Sequence, residues 1–169
     1  MTQSTPMALR DYINLAAQVE DTVARIYDLF GTQFAANVEF SHFWRLSAEA
    51  ERYHAATIRL HLAVLPDNSS ADESKLPLAL QETQEFLGAL EEKATTCTVS
   101  PPSQAEAIDL ALWIESHGSE VHGRTQFAFL QPTMAELFRR LEEEDRVHRR
   151  TFEVARTRFD GSAGHAPPT

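Results

Sequence analysis

Two short segments of this chain share one chemistry: Glu51-Arg52-Tyr53-His54 and Asp145-Arg146-Val147-His148. Each places a carboxylate three residues before an imidazole. On a helix, residues i and i+3 stand on the same side, so the oxygen and nitrogen donors of each pair can converge on one point. Upstream of each pair a single carboxylate interrupts an apolar stretch: Glu20, between Val19 and Val23, and Glu115, after Leu112 and Ile114. Glu51 follows Glu20 by 31 residues, and Asp145 follows Glu115 by 30. The chain thus repeats one unit, a lone carboxylate followed by carboxylate-x-x-His. Antiparallel helices joined by short turns would bring the members of each unit to similar heights.

Four carboxylates turned into a protein core are strongly unfavourable unless paired or protonated. The adjacent Arg52 and Arg146 lie about 100° around their helices and are poorly placed to neutralise them. Two divalent cations would cancel the four charges, and two neutral imidazoles would complete the donor set. Oxygen-rich, with two nitrogens and no sulfur, that set suits iron or manganese better than copper or structural zinc. A lone carboxylate-x-x-His pair is usually a surface feature, and Asp145 ends an acidic run, Glu142–Asp145. Leu141, His148 and Phe152 at helical spacing turn Asp145 inward, leaving Glu142 and Glu143 to solvent.

The elements that must hold these residues can be parsed from proline. Pro6, Pro66, Pro77, Pro101, Pro102, Pro132, Pro167 and Pro168 leave long proline-free stretches between them, and interior proline is costly in helices. Gly31 through Asn37 breaks the first stretch. Helices are therefore expected over 8–30 and 37–64, then from the capping boxes at Ser103–Glu106 and Thr133–Glu136. Each carries an apolar stripe of helical period, for example Tyr12, Leu15, Val19, Val23, Ile26 and Phe30 in the first. The connection 65–102 is long enough to cross a bundle and should hold one short helix near 78–93. This predicts an all-α fold: a four-helix bundle over 1–160 with a long crossover between its second and third helices, then a disordered tail, 161–169.

Composition narrows the function classes. Twenty-five acids against 15 bases give a net charge of −10, which disfavours nucleic acid and anionic membranes as partners. The single cysteine, Cys97, excludes a disulfide framework, a thiolate zinc cluster and a four-cysteine iron site. No apolar signal core or membrane-length apolar run is apparent. A soluble, cytoplasmic protein is expected.

With its two metal-type motifs and two lone carboxylates, the chain resembles the ferritin-like, rubrerythrin-type di-iron domain over roughly 8–160. The resemblance implies two iron ions, with manganese as the other metal, held by Glu20, Glu51, His54, Glu115, Asp145 and His148. It implies Glu20 and Glu115 as bridging or shifting ligands, with Glu51/His54 and Asp145/His148 anchoring one iron each. It also implies a tyrosine near the metals at Tyr27, and His122 occupies the corresponding position on the third bundle helix. Asp145 stands where the family usually has Glu, and Gly118 where rubrerythrins often carry a further glutamate. The activity implied is reduction of H2O2 or O2 with oxidation of Fe(II), using a separate electron donor protein or iron itself. Oxygenation of an organic substrate and a non-catalytic metal-binding, storage or interaction role are the alternatives. Bundles of this family commonly dimerise, so a homodimer is expected, with Phe40 and Trp44 as candidate contact residues. His42, His61, His117 and His165 read as surface or loop residues.

Overall fold

A computed structural model describes residues 5–160; the expected tail, 161–169, lies outside them. Five helices account for most of this span: α1 (Thr5–Gln33), α2 (Val38–Ala63), α3 (Leu76–Val99), α4 (Gln104–Thr125) and α5 (Pro132–Asp160). No strand occurs among the described residues, and the all-α class holds. One isolated bridge, Ala71 with Phe129, ties the loop before α3 to the turn after α4.

The helix starts follow local chemistry. Asn37 accepts a hydrogen bond from the Phe40 amide at 3.1 Å and caps α2. Ser103 and Glu106 form the expected reciprocal capping box at the start of α4. The second expected capping box does not form. Proline opens α5 at Pro132, where its missing N–H is no loss, and the Glu136 carboxylate is held by Arg139 and Arg140. The larger departure is α3, a 24-residue helix rather than a short one. Pro77 sits in its first turn, where proline is tolerated. At the other end Thr95, Thr96 and Thr98 each bond back to the carbonyl four residues earlier, which fits continued helix.

Ion pairs and hydrogen bonds fix the directions of the helices. Arg59 with Asp21 and Arg52 with Asp28 set α1 antiparallel to α2. Asp109 with Arg156 and Asp145 with His122 do the same for α4 and α5. Tyr12 to Thr125 and Tyr27 to Glu115 set α1 antiparallel to α4. Glu39 with Arg158 and Glu51 with His148 set α2 antiparallel to α5. Hence α2 and α4 run in the same direction, and the chain between them travels the length of the bundle, with α3 packed mainly on α1. Gly31 permits a close approach of α1 to α2: a Cβ there would lie 3.0 Å from Arg45 Cγ, and the Gly31 carbonyl accepts from Ser41 Oγ at 2.6 Å.

The apolar interior falls into two clusters. One is built on Val23, Ile26, Phe30, Phe40, Trp44, Ile108, Ala111 and Phe152. The other is built on Leu9, Tyr12, Ile13, Ile58, Leu137, Phe138 and Leu141. Phe40 and Trp44, the candidate dimer contacts, are fully buried within the first cluster, so their aromatic surface is already used inside the chain. Charged and imidazole side chains interrupt this apolar interior: Glu20 in α1, Glu51 and His54 in α2, Glu115 in α4, and Asp145 in α5, all buried. A polar layer therefore crosses the middle of an apolar bundle. None of the described helices is long and apolar enough to cross a membrane.

Candidate metal centre

Within the polar layer two groups of three donors lie close enough to hold a cation each. Glu20, Glu51 and His54 form one; Glu51, Glu115 and His148 form the other. Glu51 is common to both. Its Oε2 lies 3.0 Å from His54 Nδ1, and its Oε1 lies 3.0 Å from His148 Nδ1. Glu20 Oε2 is 3.6 Å from His54 Nδ1, and Glu115 Oε2 is 3.7 Å from His148 Nδ1. The shared carboxylate is thus Glu51, rather than the lone Glu20 or Glu115 that the family resemblance suggested for bridging. The two imidazoles stack nearly parallel, with ring centroids 5.4 Å apart.

Glu20, His54 and Glu115 are each held by a residue outside the two groups. His54 Nε2 lies 2.6 Å from Glu144 Oε2, so its Nδ1 is the nitrogen turned inward. Sequence reasoning missed Glu144, which belongs to the acidic run and is half-exposed. Only the packing of α5 against α2 brings it to His54. Tyr27 Oη donates to Glu115 Oε1 at 2.6 Å, leaving Oε2 toward His148. Asp145 does not join either group of three. Its Oδ2 accepts from His122 Nδ1 at 2.9 Å, and His122 Nε2 in turn lies 3.2 Å from Glu20 Oε1. The structure therefore gathers all eight sequence-predicted residues into one layer, with Asp145 paired to His122 and His122 in turn beside Glu20.

Gly118 explains where Asp145 rests. A Cβ at 118 would lie 3.2 Å from Asp145 Oδ2, so the bare helix surface of α4 receives this carboxylate. Beside it a small cavity of about 10 Å³ is lined by Glu20, Glu51, Glu115, Gly118, His122 and Asp145. That is close to the least volume that holds one water molecule.

Protons hold the metal-free layer together. Burial opposes ionisation of Glu20, yet hydrogen bonds from His122 and His54 keep its carboxyl well below the ordinary range. Burial would lower the His54 pKa, but its bonds to Glu20 and Glu51 push it up to about 12. For His122 the same burial is outweighed by the Asp145 charge and the bonds to Asp145 and Glu20, which push it up to about 10. Burial, then the charges of Glu51 and Asp145, raises Glu115 well above the usual carboxylate range. Asp145 is also raised, by burial first, with His122 acting against the rise. These are the shifts expected where more negative charge is gathered than the neighbours can balance.

The donor set fits a pair of divalent cations. Glu51 Oε1 is buried against His148 Nδ1 at 3.0 Å without an aligned hydrogen bond, a position that a cation between the two atoms would satisfy. Inward Nδ1 atoms, one imidazole anchored from behind by a carboxylate, and a carboxylate common to both groups are the features expected of metal ligands with their outer supports.

Removing the Tyr27 hydroxyl should expose the cost of this support. In Tyr27→Phe the buried Glu115 Oε1 loses its donor, which should lower stability by about 1–3 kcal/mol. Urea unfolding of the metal-free protein measures that loss, and metal affinity should fall by roughly 10–100-fold alongside it. Unchanged values of both would show that the hydroxyl is not supporting Glu115.

No family model, curated protein or solved structure matches this chain.

Proposed function

We propose that this chain is a non-haem di-iron oxidoreductase of rubrerythrin type, built on a ferritin-like four-helix bundle of α1, α2, α4 and α5 with α3 in the crossover. The observation that carries this reading is Glu51, a buried carboxylate shared by two three-donor groups in an otherwise apolar bundle. Glu20, Glu51 and His54 would hold one ion, and Glu51, Glu115 and His148 the other. When bound, iron supplies electrons to O2 or H2O2 by passing from Fe(II) to Fe(III), with manganese the other metal this donor set would take.

The protein's own part is to place and constrain. Glu144 fixes which nitrogen of His54 faces inward, and Tyr27 fixes which oxygen of Glu115 does so. The two apolar clusters on either side leave Glu20, Glu51, His54 and Glu115 buried, which strengthens the charge interactions among them. The small cavity beside Gly118 favours an oxidant of one or two heavy atoms over an organic substrate. Electrons would come from a separate donor protein or from Fe(II) itself as substrate, and the working unit would be a homodimer.

Anaerobic loading with Fe(II), followed by desalting and elemental analysis, tests the reading. About two irons per chain are expected, as for carboxylate-histidine bundles of this type, and the ferric absorption should develop faster with one of O2 and H2O2. Less than about half an iron per chain, with the helices intact, would overturn it. A centre that binds two irons that neither oxidant oxidises would instead be a storage or structural site.

A further inference from the structure

We infer that His122 is a third imidazole ligand of the centre, and that Asp145 is its positioning residue rather than a metal ligand. This deepens the di-metal reading and rests on it. His122 is buried, and its two nitrogens face different groups: Nδ1 meets Asp145 Oδ2 at 2.9 Å, and Nε2 lies 3.2 Å from Glu20 Oε1. Glu20 is the lone carboxylate of the group it shares with Glu51 and His54. An imidazole whose Nδ1–H is donated to a carboxylate has its Nε2 lone pair fixed in direction and made more basic, the usual outer support of a metal-binding histidine. Here Nε2 faces the oxygen of a ligand-type carboxylate, and a cation between them would take the place of the proton that Nε2 shares with Glu20. His54 is arranged in the opposite sense, Nδ1 inward and Nε2 toward Glu144, so the Glu20 side receives one nitrogen from α2 and one from α4.

Two further observations take Asp145 out of the ligand set. Its carboxylate lies over Gly118 on α4, where a side chain would crowd it at 3.2 Å. Aspartate is also one methylene shorter than glutamate, so from α5 it stops at His122. His122 lies four residues beyond Gly118, one turn along the same face of α4. Glycine at 118, histidine at 122 and aspartate at 145 thus form one device: a gap, a ligand and its support. The resulting centre is unsymmetrical, with two imidazoles on the Glu20 side and one on the Glu115 side.

The test uses the whole chain with ¹⁵N-labelled histidine and Zn(II) as a diamagnetic probe, read by long-range ¹H–¹⁵N correlation. On filling, three nitrogens should take metal-bound shifts: Nδ1 of His54, Nδ1 of His148 and Nε2 of His122, while His122 Nδ1 stays protonated. If His54 and His148 respond and His122 Nε2 does not, the third-ligand assignment fails and the di-metal reading survives. If none of the three responds, both fail. Variants give the second measurement. Asp145→Asn keeps an oxygen to accept from Nδ1–H and should leave Zn(II) affinity within a few-fold. Asp145→Ala should weaken one ion by roughly 10–100-fold, and His122→Ala should lose that ion. Loss of an ion in Asp145→Asn with both retained in His122→Ala would restore Asp145 as the ligand. Should His122→Ala not fold, the spectrum of the unaltered chain decides.

Discussion

Glu51→Gln should empty both halves of the metal centre at once. Glu20, His54, Glu115 and His148 each serve one three-membered group, but Glu51 offers Oε2 beside His54 and Oε1 beside His148. The amide keeps size and shape while replacing one charged oxygen with an N–H2 that cannot ligate. Iron per chain, measured after anaerobic loading and desalting, should fall from about two to below about half in Glu51→Gln. Glu20→Gln and Glu115→Gln should each retain about one, since each removes a donor from a single group. The helical circular dichroism should be unchanged, because the two apolar clusters hold the bundle on either side of the layer. Two irons retained in Glu51→Gln would place the metals elsewhere and remove the basis for the di-iron reading.

The same series separates metal binding from folding. Burial and the charges of Glu51 and Asp145 raise Glu115, so burial favours its neutral acid form, which donates and accepts much as an amide does. Glu115→Gln in the metal-free protein should therefore stay within about 1 kcal/mol of the parent in urea unfolding, even as one iron is lost. Breaking a buried group that is truly ion-paired costs several times more.

The layer itself was legible in the sequence because a carboxylate at a core position of a helical stripe has few uses. Glu20, Glu51, Glu115 and Asp145 each interrupt an apolar face, and their near-equal spacings place them at one height without any knowledge of packing. Such reasoning assigns each residue to a face of its own helix but not to a neighbour across the bundle. Glu144 and Asp145 show the limit. They are adjacent in an acidic run, about 100° apart around α5. One reaches His54 on α2, and the other reaches His122 on α4. The rotation of α5 decides this, and only tertiary contacts set that rotation. His122 was recognised as lying at the level of Tyr27, yet its second carboxylate partner was hidden for the same reason. The length of α3 was obscured differently: Pro77 reads as a break in a linear scan, but in a first turn it begins a helix as readily as it ends one. Phe40 and Trp44 are a further case. An aromatic pair on one helix can face a partner or the core, and here Phe30, Phe152 and Phe159 complete the core around them.

The metal-free protein should lose stability as pH rises from neutrality, and bound metal should remove that dependence. His54, His122 and His148 all have raised pKa values in the fold, burial being outweighed by their carboxylate neighbours. A group raised on folding binds its proton more tightly in the folded state, so its stabilisation is complete below the unfolded value of 6.5. That stabilisation drains away as pH climbs through the folded values, about 10 for His122 and about 12 for His54. Asp145 and Glu115, also raised, act in the same direction from lower pH. Glu20 acts oppositely, its contribution being present above 4.5 and lost only in acid. Above neutrality nothing in the layer offsets the loss, so the melting temperature of the metal-free chain should fall between about pH 6 and pH 9. Cations that take the inward imidazole nitrogens displace these protons, so metal uptake should release protons and tighten as pH rises. At a free metal concentration about a thousand times the dissociation constant, binding adds roughly 4 kcal/mol. The gap between metal-loaded and metal-free melting temperatures should therefore widen with pH when Mn(II) or Zn(II) is the probe. A metal-free melting temperature that stays flat or rises over this range would mean that the imidazoles in the layer are neutral, and that something other than their protons balances the four carboxylates.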